Sequence, residues 1–115
     1  MTNKTNIKKS IELYNEGLVC GKKKDFKSAE NFYLKAIELN SEFFQAYYNL
    51  GNIYKNSGKL NEAITYFKKS IQIKSDFINA YYNLGNTLKM LGELDESEDN
   101  FNKVLELNPN LEEAK

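Results

Sequence analysis

Ala46-Tyr47-Tyr48-Asn49-Leu50-Gly51-Asn52 returns letter for letter as Ala80-Tyr81-Tyr82-Asn83-Leu84-Gly85-Asn86, an offset of 34 residues from 46 to 80. A self-match at a fixed period of this size marks a stacked repeat array rather than a single globular core. The match runs outward from that phrase. Phe43, Lys55, Gly58, Leu60, Glu62, Phe67 and Lys69 return as Phe77, Lys89, Gly92, Leu94, Glu96, Phe101 and Lys103. One period earlier, Tyr14, Asn15, Gly17, Ala29 and Tyr33 stand where Tyr48, Asn49, Gly51, Ala63 and Phe67 stand in the second copy. Three copies therefore fill residues 10–43, 44–77 and 78–111, behind a polar lead at 1–9. Residues 112–115 read as the start of a truncated fourth helix pair, with Ala114 in register with Ala80.

Each period holds two amphipathic helices. Tyr47, Leu50, Gly51 and Tyr54 recur at i, i+3, i+4 and i+7, and Leu60, Ala63, Ile64, Phe67 and Ile71 form a second such face. Breakers separate them: Ser57-Gly58 within the copy, then Asn40-Ser41, Lys74-Ser75-Asp76 and Asn108-Pro109-Asn110 between copies. The predicted helices span 10–22 with 26–39, 44–57 with 60–73, and 78–91 with 94–107. Leu13, Gly17 and Cys20 are expected to face inward, as are Phe26, Ala29, Tyr33, Ile37 and Leu39. Gly17, Gly51 and Gly85 fall mid-helix, where Gly costs about 1 kcal/mol against Ala. A close helix approach, meeting Ala29, Ala63 and Ser97, is the expected compensation, with Tyr33, Phe67 and Phe101 plugging the space between helices. The end of the third copy is expected to leave Val104, Leu105 and Leu107 at risk of exposure.

The spacing Tyr47-x2-Leu50-Gly51-x2-Tyr54, then Ala63-x3-Phe67, then Ser75 resembles the tetratricopeptide repeat, whose pattern has Trp, Leu, Gly, Tyr, Ala, Phe and Pro at those places. The resemblance covers about nine-tenths of the chain. It departs in the first copy at Glu16 and Cys20 and in the third at Ser97, as terminal copies of an array do. It implies an all-α fold, a right-handed superhelical solenoid of three antiparallel helix pairs. It also implies a protein–protein interaction role, with the first helices lining a concave groove.

Composition narrows the function classes. The 16 basic and 16 acidic residues cancel, so no global field draws nucleic acid or an anionic membrane. The signs are uneven, however. Lys8, Lys9, Lys22, Lys23, Lys24 and Lys27 crowd the first copy, and Glu93, Asp95, Glu96, Glu98 and Asp99 the third. Every basic residue is Lys, so the preferred residue for bidentate phosphate or carboxylate capture is absent. One Cys and no His leave no internal disulfide and no zinc-ligand set. Cys20 reads as a small core residue. No glycine-rich phosphate loop or paired carboxylates are present, so no catalytic residue and no cofactor is assigned and the chain does not read as an enzyme. No apolar run reaches membrane-spanning length, and a cytoplasmic protein is expected.

On each first helix one further stripe remains: Ile11, Tyr14, Asn15, Leu18 and Lys22; Gln45, Tyr48, Asn49, Asn52, Lys55 and Asn56; Asn79, Tyr82, Asn83, Asn86, Lys89 and Met90. Asn15, Asn49 and Asn83 form one row and Tyr14, Tyr48 and Tyr82 another. An Asn amide offers donors and an acceptor, suited to the backbone of an extended peptide, and Tyr adds apolar area with a polar tip. The predicted peptide-binding set is Tyr14, Asn15, Gln45, Tyr48, Asn49, Asn52, Lys55, Asn79, Tyr82, Asn83, Asn86 and Lys89. The Asn row resembles the peptide-holding ladder of O-linked N-acetylglucosamine transferases, though such residues are also common in the family's general pattern. The family's clamp for acidic chaperone C-termini needs Lys and Asn at positions that here read Tyr14, Leu18, Asn49, Asn79 and Asn83. Only Asn49 fits. The expected partner is a protein or peptide. Two alternatives stand beside it: end-to-end self-association through the C-terminal helix, and a targeting segment of a larger enzyme such as a glycosyltransferase or sulfotransferase.

Overall fold

Residues 3–111 are described by a computed structural model, so the expected fourth-copy start at 112–115 lies outside the described residues. Six helices follow one another: α1 (Lys4–Lys22), α2 (Phe26–Leu39), α3 (Phe44–Asn56), α4 (Leu60–Ile73), α5 (Ile78–Leu91) and α6 (Leu94–Leu107), closed by a 3₁₀ turn at Pro109–Leu111. Each helix packs on the one before it and the one after it, and α3 also reaches α5. The result is an all-α helical repeat solenoid. Its extents are 42 × 27 × 25 Å and its radius of gyration is 14.8 Å. A compact domain of this length would have a radius of about 13 Å, so stacking has drawn the molecule out along one axis.

The core is built from the residues that the period sets in register. Ala29, Ala63 and Phe67 are fully buried, and Tyr33 and Ser97 nearly so. The expected rings are what lies nearest the mid-helix glycines. A Cβ on Gly17 would lie 2.6 Å from the Tyr33 ring, one on Gly51 2.6 Å from Phe67, and one on Gly85 2.8 Å from Phe101. The bare Cα is therefore the seat of the ring. Ser97 plays another part: its hydroxyl donates to the Gly85 carbonyl at 2.8 Å.

The links between helices depart from the family pattern in a consistent way. Tyr47 and Tyr81 occupy the pattern's Trp position, and their hydroxyls donate to the carbonyls of Ser41 (3.1 Å) and Ser75 (2.8 Å). Those serines occupy its Pro position, so a hydrogen bond ties the connecting turn where a ring contact would otherwise do so. Within the copies, Gly58 (φ 83°) and Gly92 (φ 91°) turn the chain in the left-handed region that suits Gly. The first copy places Lys24 there instead, at φ 63°.

Three expectations are corrected. Residues 4–9 are not a frayed lead but the opening of α1, six residues before the expected start at 10. Asn3 accounts for this, its Oδ1 accepting the Asn6 backbone N–H at 2.8 Å as an N-cap. Phe26 is half exposed (50%) rather than buried, because it is the first residue of α2 and lies at the open edge of the pair. Ala36 fills the core further along that helix. Val104 is buried (3%), held by packing within the third pair, while Leu105 and Leu107 are half-buried. Exposed instead among the described residues of that copy are Tyr82 on α5 and Met90, Leu91 and Leu94 around its internal turn.

Candidate functional site

Because the pairs are antiparallel, α1, α3 and α5 run in one direction, and side chains one period apart can meet. The Tyr and Asn rows do so. Asn49 Nδ2 donates to the Tyr14 hydroxyl at 3.0 Å, and Asn83 Nδ2 donates to the Tyr48 hydroxyl at 2.9 Å. Asn83 Nδ2 also donates to Asn52 Oδ1 at 2.8 Å. The two predicted rows are thus one ladder, each Asn bonded to the Tyr of the preceding copy. Aromatic packing fixes its rungs. Tyr14 lies between Tyr33 of α2 (ring centroids 5.5 Å) and Phe43, the residue that precedes α3 (4.8 Å). Tyr48 repeats this with Phe67 (5.9 Å) and Phe77 (4.8 Å). Among the described rings Tyr82 packs against Phe101 (5.9 Å), and half of it is exposed.

The ladder changes what the predicted site can offer. Tyr14, Tyr48, Asn49, Asn52 and Asn83 are half-buried and spend polar capacity on one another. Both Asn83 amide hydrogens are committed, leaving its Oδ1 as an acceptor. Asn15, Gln45, Asn79, Tyr82 and Lys89 are exposed, and Asn86 and Lys55 half-buried. No hydrogen bond within the described residues joins Asn15 to the ladder. Asn49 and Asn83 are therefore hydrogen-bond partners of the preceding tyrosines, not free surface.

Burial also acts on the tyrosines' chemistry. Burial pushes Tyr33 up to about 12, with the neighbouring Tyr14 adding to it. Burial, opposed by the Asn49 hydrogen bond, raises Tyr14. Tyr54 is raised too, first by burial and then by its 2.6 Å hydrogen bond to the Glu30 carboxylate. These three phenols stay protonated at any physiological pH and act as donors and packing area, not as acids.

Sequence reasoning missed a cavity of about 290 Å³ beside the ladder, between the first and second copies. Ala29, Tyr33 and Ile53 form its apolar floor, and Asn49, Asn52 and Asn56 lie along one wall of it from α3. Gly21 and Phe26 edge it on the first-copy side. A signal was present in the repeat itself: Gly21 stands where Lys55 and Lys89 stand in the later copies. Among the described residues no group of acidic, His or Cys side chains is arranged to hold a metal, and no helix is long and apolar enough to cross a membrane.

Models described as the tetratricopeptide repeat match residues 5–43, 32–65 and 78–111, and one described as a TPR repeat matches 51–92. No curated protein matches the chain significantly. Among solved structures, MamA is similar with a TM-score of 0.84 at 32% identity, over 88% of this chain and 59% of that one. The Arabidopsis OM64 TPR domain is similar at 0.86 and 26% identity, over 91% and 87%. The first TPR of Spaghetti (RPAP3), solved with the HSP90 peptide SRMEEVD, is similar at 0.87 and 22% identity, over 90% and 82%, a likeness of fold. The chain spans 59% and 55% of the length of the two MamA chains it matches.

Proposed function

The chain belongs to the tetratricopeptide repeat family, and from that premise we propose that it is a non-catalytic interaction scaffold that holds an extended peptide or partner protein along α1, α3 and α5. The observation that carries this reading is the ladder. Tyr14–Asn49 and Tyr48–Asn83 fix the spacing of three parallel helices and leave Gln45, Asn79, Asn86, Lys55 and Lys89 beside it as polar groups not spent within the fold. Such groups can pair with a peptide backbone, and a preorganised wall lowers the ordering cost of doing so. Structural neighbours solved with a peptide support the reading.

The ligand we propose differs from theirs. An acidic chaperone tail needs cations, and Tyr14, Leu18, Asn79 and Asn83 supply none. The test is the double substitution Gln45→Ala with Asn86→Ala. Gln45 is exposed and half-buried Asn86 makes no side-chain hydrogen bond among the described residues, so stability should change by no more than about 1 kcal/mol in all, while capture of partners from a peptide array should be lost. Capture at wild-type strength would rule the wall out.

A second reading is self-association. Met90, Leu91 and Leu94 are exposed (60%, 40% and 63%) beside Glu93, Asp95, Glu98 and Asp99, and the other end of the molecule is rich in Lys. It places the contact at the α5–α6 turn as much as along the C-terminal helix. Sedimentation showing a monomer at high concentration and low salt would exclude it.

A further inference from the structure

The cavity between the first two copies lies where the period is broken at one position. Gly21 stands where the other copies carry Lys55 and Lys89, and a Cβ built on Gly21 meets nothing within 4 Å. The first copy therefore has no side chain at this edge. The floor of Ala29, Tyr33 and Ile53 is apolar, and half-exposed Phe26 offers a ring edge at the rim. Beside Ile53, α3 brings Asn49, Asn52 and Asn56 to the cavity, spaced at i, i+3 and i+7 on one stripe. Within the described residues Asn56 makes no side-chain hydrogen bond, and Asn52 accepts one while donating none.

The charge along the chain beside the mouth is mostly positive. Lys22, Lys23 and Lys24 lie between Gly21 and Phe26, and Lys55 and Lys59 bracket Asn56 and Ser57. None of these five makes an ion pair among the described residues. Of the nearby opposite charges, Asp25 caps α2 through the Ser28 N–H, and Glu30 accepts the Tyr54 hydroxyl and pairs with Lys27 at 3.7 Å. The surplus at the mouth is therefore positive, in a chain with no net charge.

From this we infer that the cavity is a side-chain pocket for a partner peptide, taking one large apolar residue flanked on both sides by Asp or Glu. The apolar side chain fills the space over Ala29, Tyr33 and Ile53, where Phe26 and Tyr33 favour a ring. The Asn stripe pairs with the peptide backbone running past α3. The lysine ring attracts the flanking carboxylates and speeds encounter. The inference rests on the scaffold reading and adds to it a specificity pocket at the first interface, which shares only Asn49 with the positions of the acidic-tail clamp.

The test uses the full chain and a dye-labelled peptide, Ser-Asp-Asp-Phe-Asp-Asp-Ser, read by fluorescence anisotropy at low salt. The peptide should bind, and replacing its Phe by Ser or its Asp by Lys should each weaken binding by at least about tenfold. Gly21→Leu should fill the pocket and cost at least as much, with the thermal melt unchanged or raised. Gly21→Ala, whose methyl enters open space, should bind within about twofold of wild type. Unchanged binding by Gly21→Leu overturns the pocket and leaves the scaffold reading standing. Failure of the wild-type chain to bind this peptide also overturns it, and the scaffold reading is then judged by the Gln45 and Asn86 substitutions. Concentration-dependent assembly abolished by Gly21→Leu would name a second copy of the chain as the occupant instead and overturn the proposal.

Discussion

Adding one methyl group at two glycines of this chain should move stability in opposite directions. Gly51→Ala gains about 1 kcal/mol of helix propensity. Its Cβ, however, would lie 2.6 Å from two atoms of the Phe67 ring and 3.0 Å from a third. Phe67 is fully buried, with Tyr48 at 5.9 Å between centroids, so the ring has little room to withdraw. Overpacking of this kind costs about 1–3 kcal/mol beyond any gain in propensity. Gly21→Ala meets nothing within 4 Å and should keep whatever propensity gain the end of α1 allows. Urea denaturation followed by circular dichroism gives both values, and each kcal/mol corresponds to a shift of about 4 °C or more in Tm for a small domain. Phe67→Leu in the Gly51→Ala background supplies the decisive comparison. Shrinking the ring should cost less there than in wild type, because the two changes share one space. A Gly51→Ala protein as stable as wild type, or strict additivity in the double variant, would refute the ring-seat explanation of the mid-helix glycines.

Phe67→Ala should destabilise by about 3–5 kcal/mol through lost transfer energy and the cavity left behind, and a denaturation curve checks this. Lys24→Gly should stabilise by about 0.5–1 kcal/mol, since the position has φ 63° and the later copies already carry Gly58 and Gly92 there; a lowered Tm would contradict it. Asn49→Ala and Asn83→Ala should each cost about 0.5–1.5 kcal/mol, the usual net worth of a hydrogen bond, measurable in the same titration. Alkaline pH should unfold the chain. Tyr33 and Tyr54 have folded-state values above the unfolded one, so their contribution is complete below about pH 10. It is lost as pH rises through the folded value, about 12 for Tyr33. Tm measured from pH 8 upward should hold until that window and then fall, less steeply for Tyr54→Phe.

Periodicity alone was enough for the architecture. The recurrence of Tyr47, Leu50, Gly51, Tyr54, Ala63 and Phe67 places two apolar stripes in each copy, and neither stripe can be buried except against a neighbouring helix. That local rule sets helix type, order and approximate ends, since breakers such as Ser57-Gly58 and Asn108-Pro109-Asn110 act through their own backbones. What the local rule cannot reach is how one copy touches the next. Whether Asn49 and Asn83 face a ligand or bond to Tyr14 and Tyr48 depends on the distance between α1, α3 and α5. That distance follows from the packing of Phe43 and Phe77 over those tyrosines, which joins each first helix to the residue that opens the next one. The cavity beside Gly21 arises in the same way, as a gap between surfaces that no single stretch of chain encloses. Repetition in sequence encodes the unit and its faces; the fit of one unit on another, summed over side-chain volumes far apart in the chain, decides which polar groups remain for a partner.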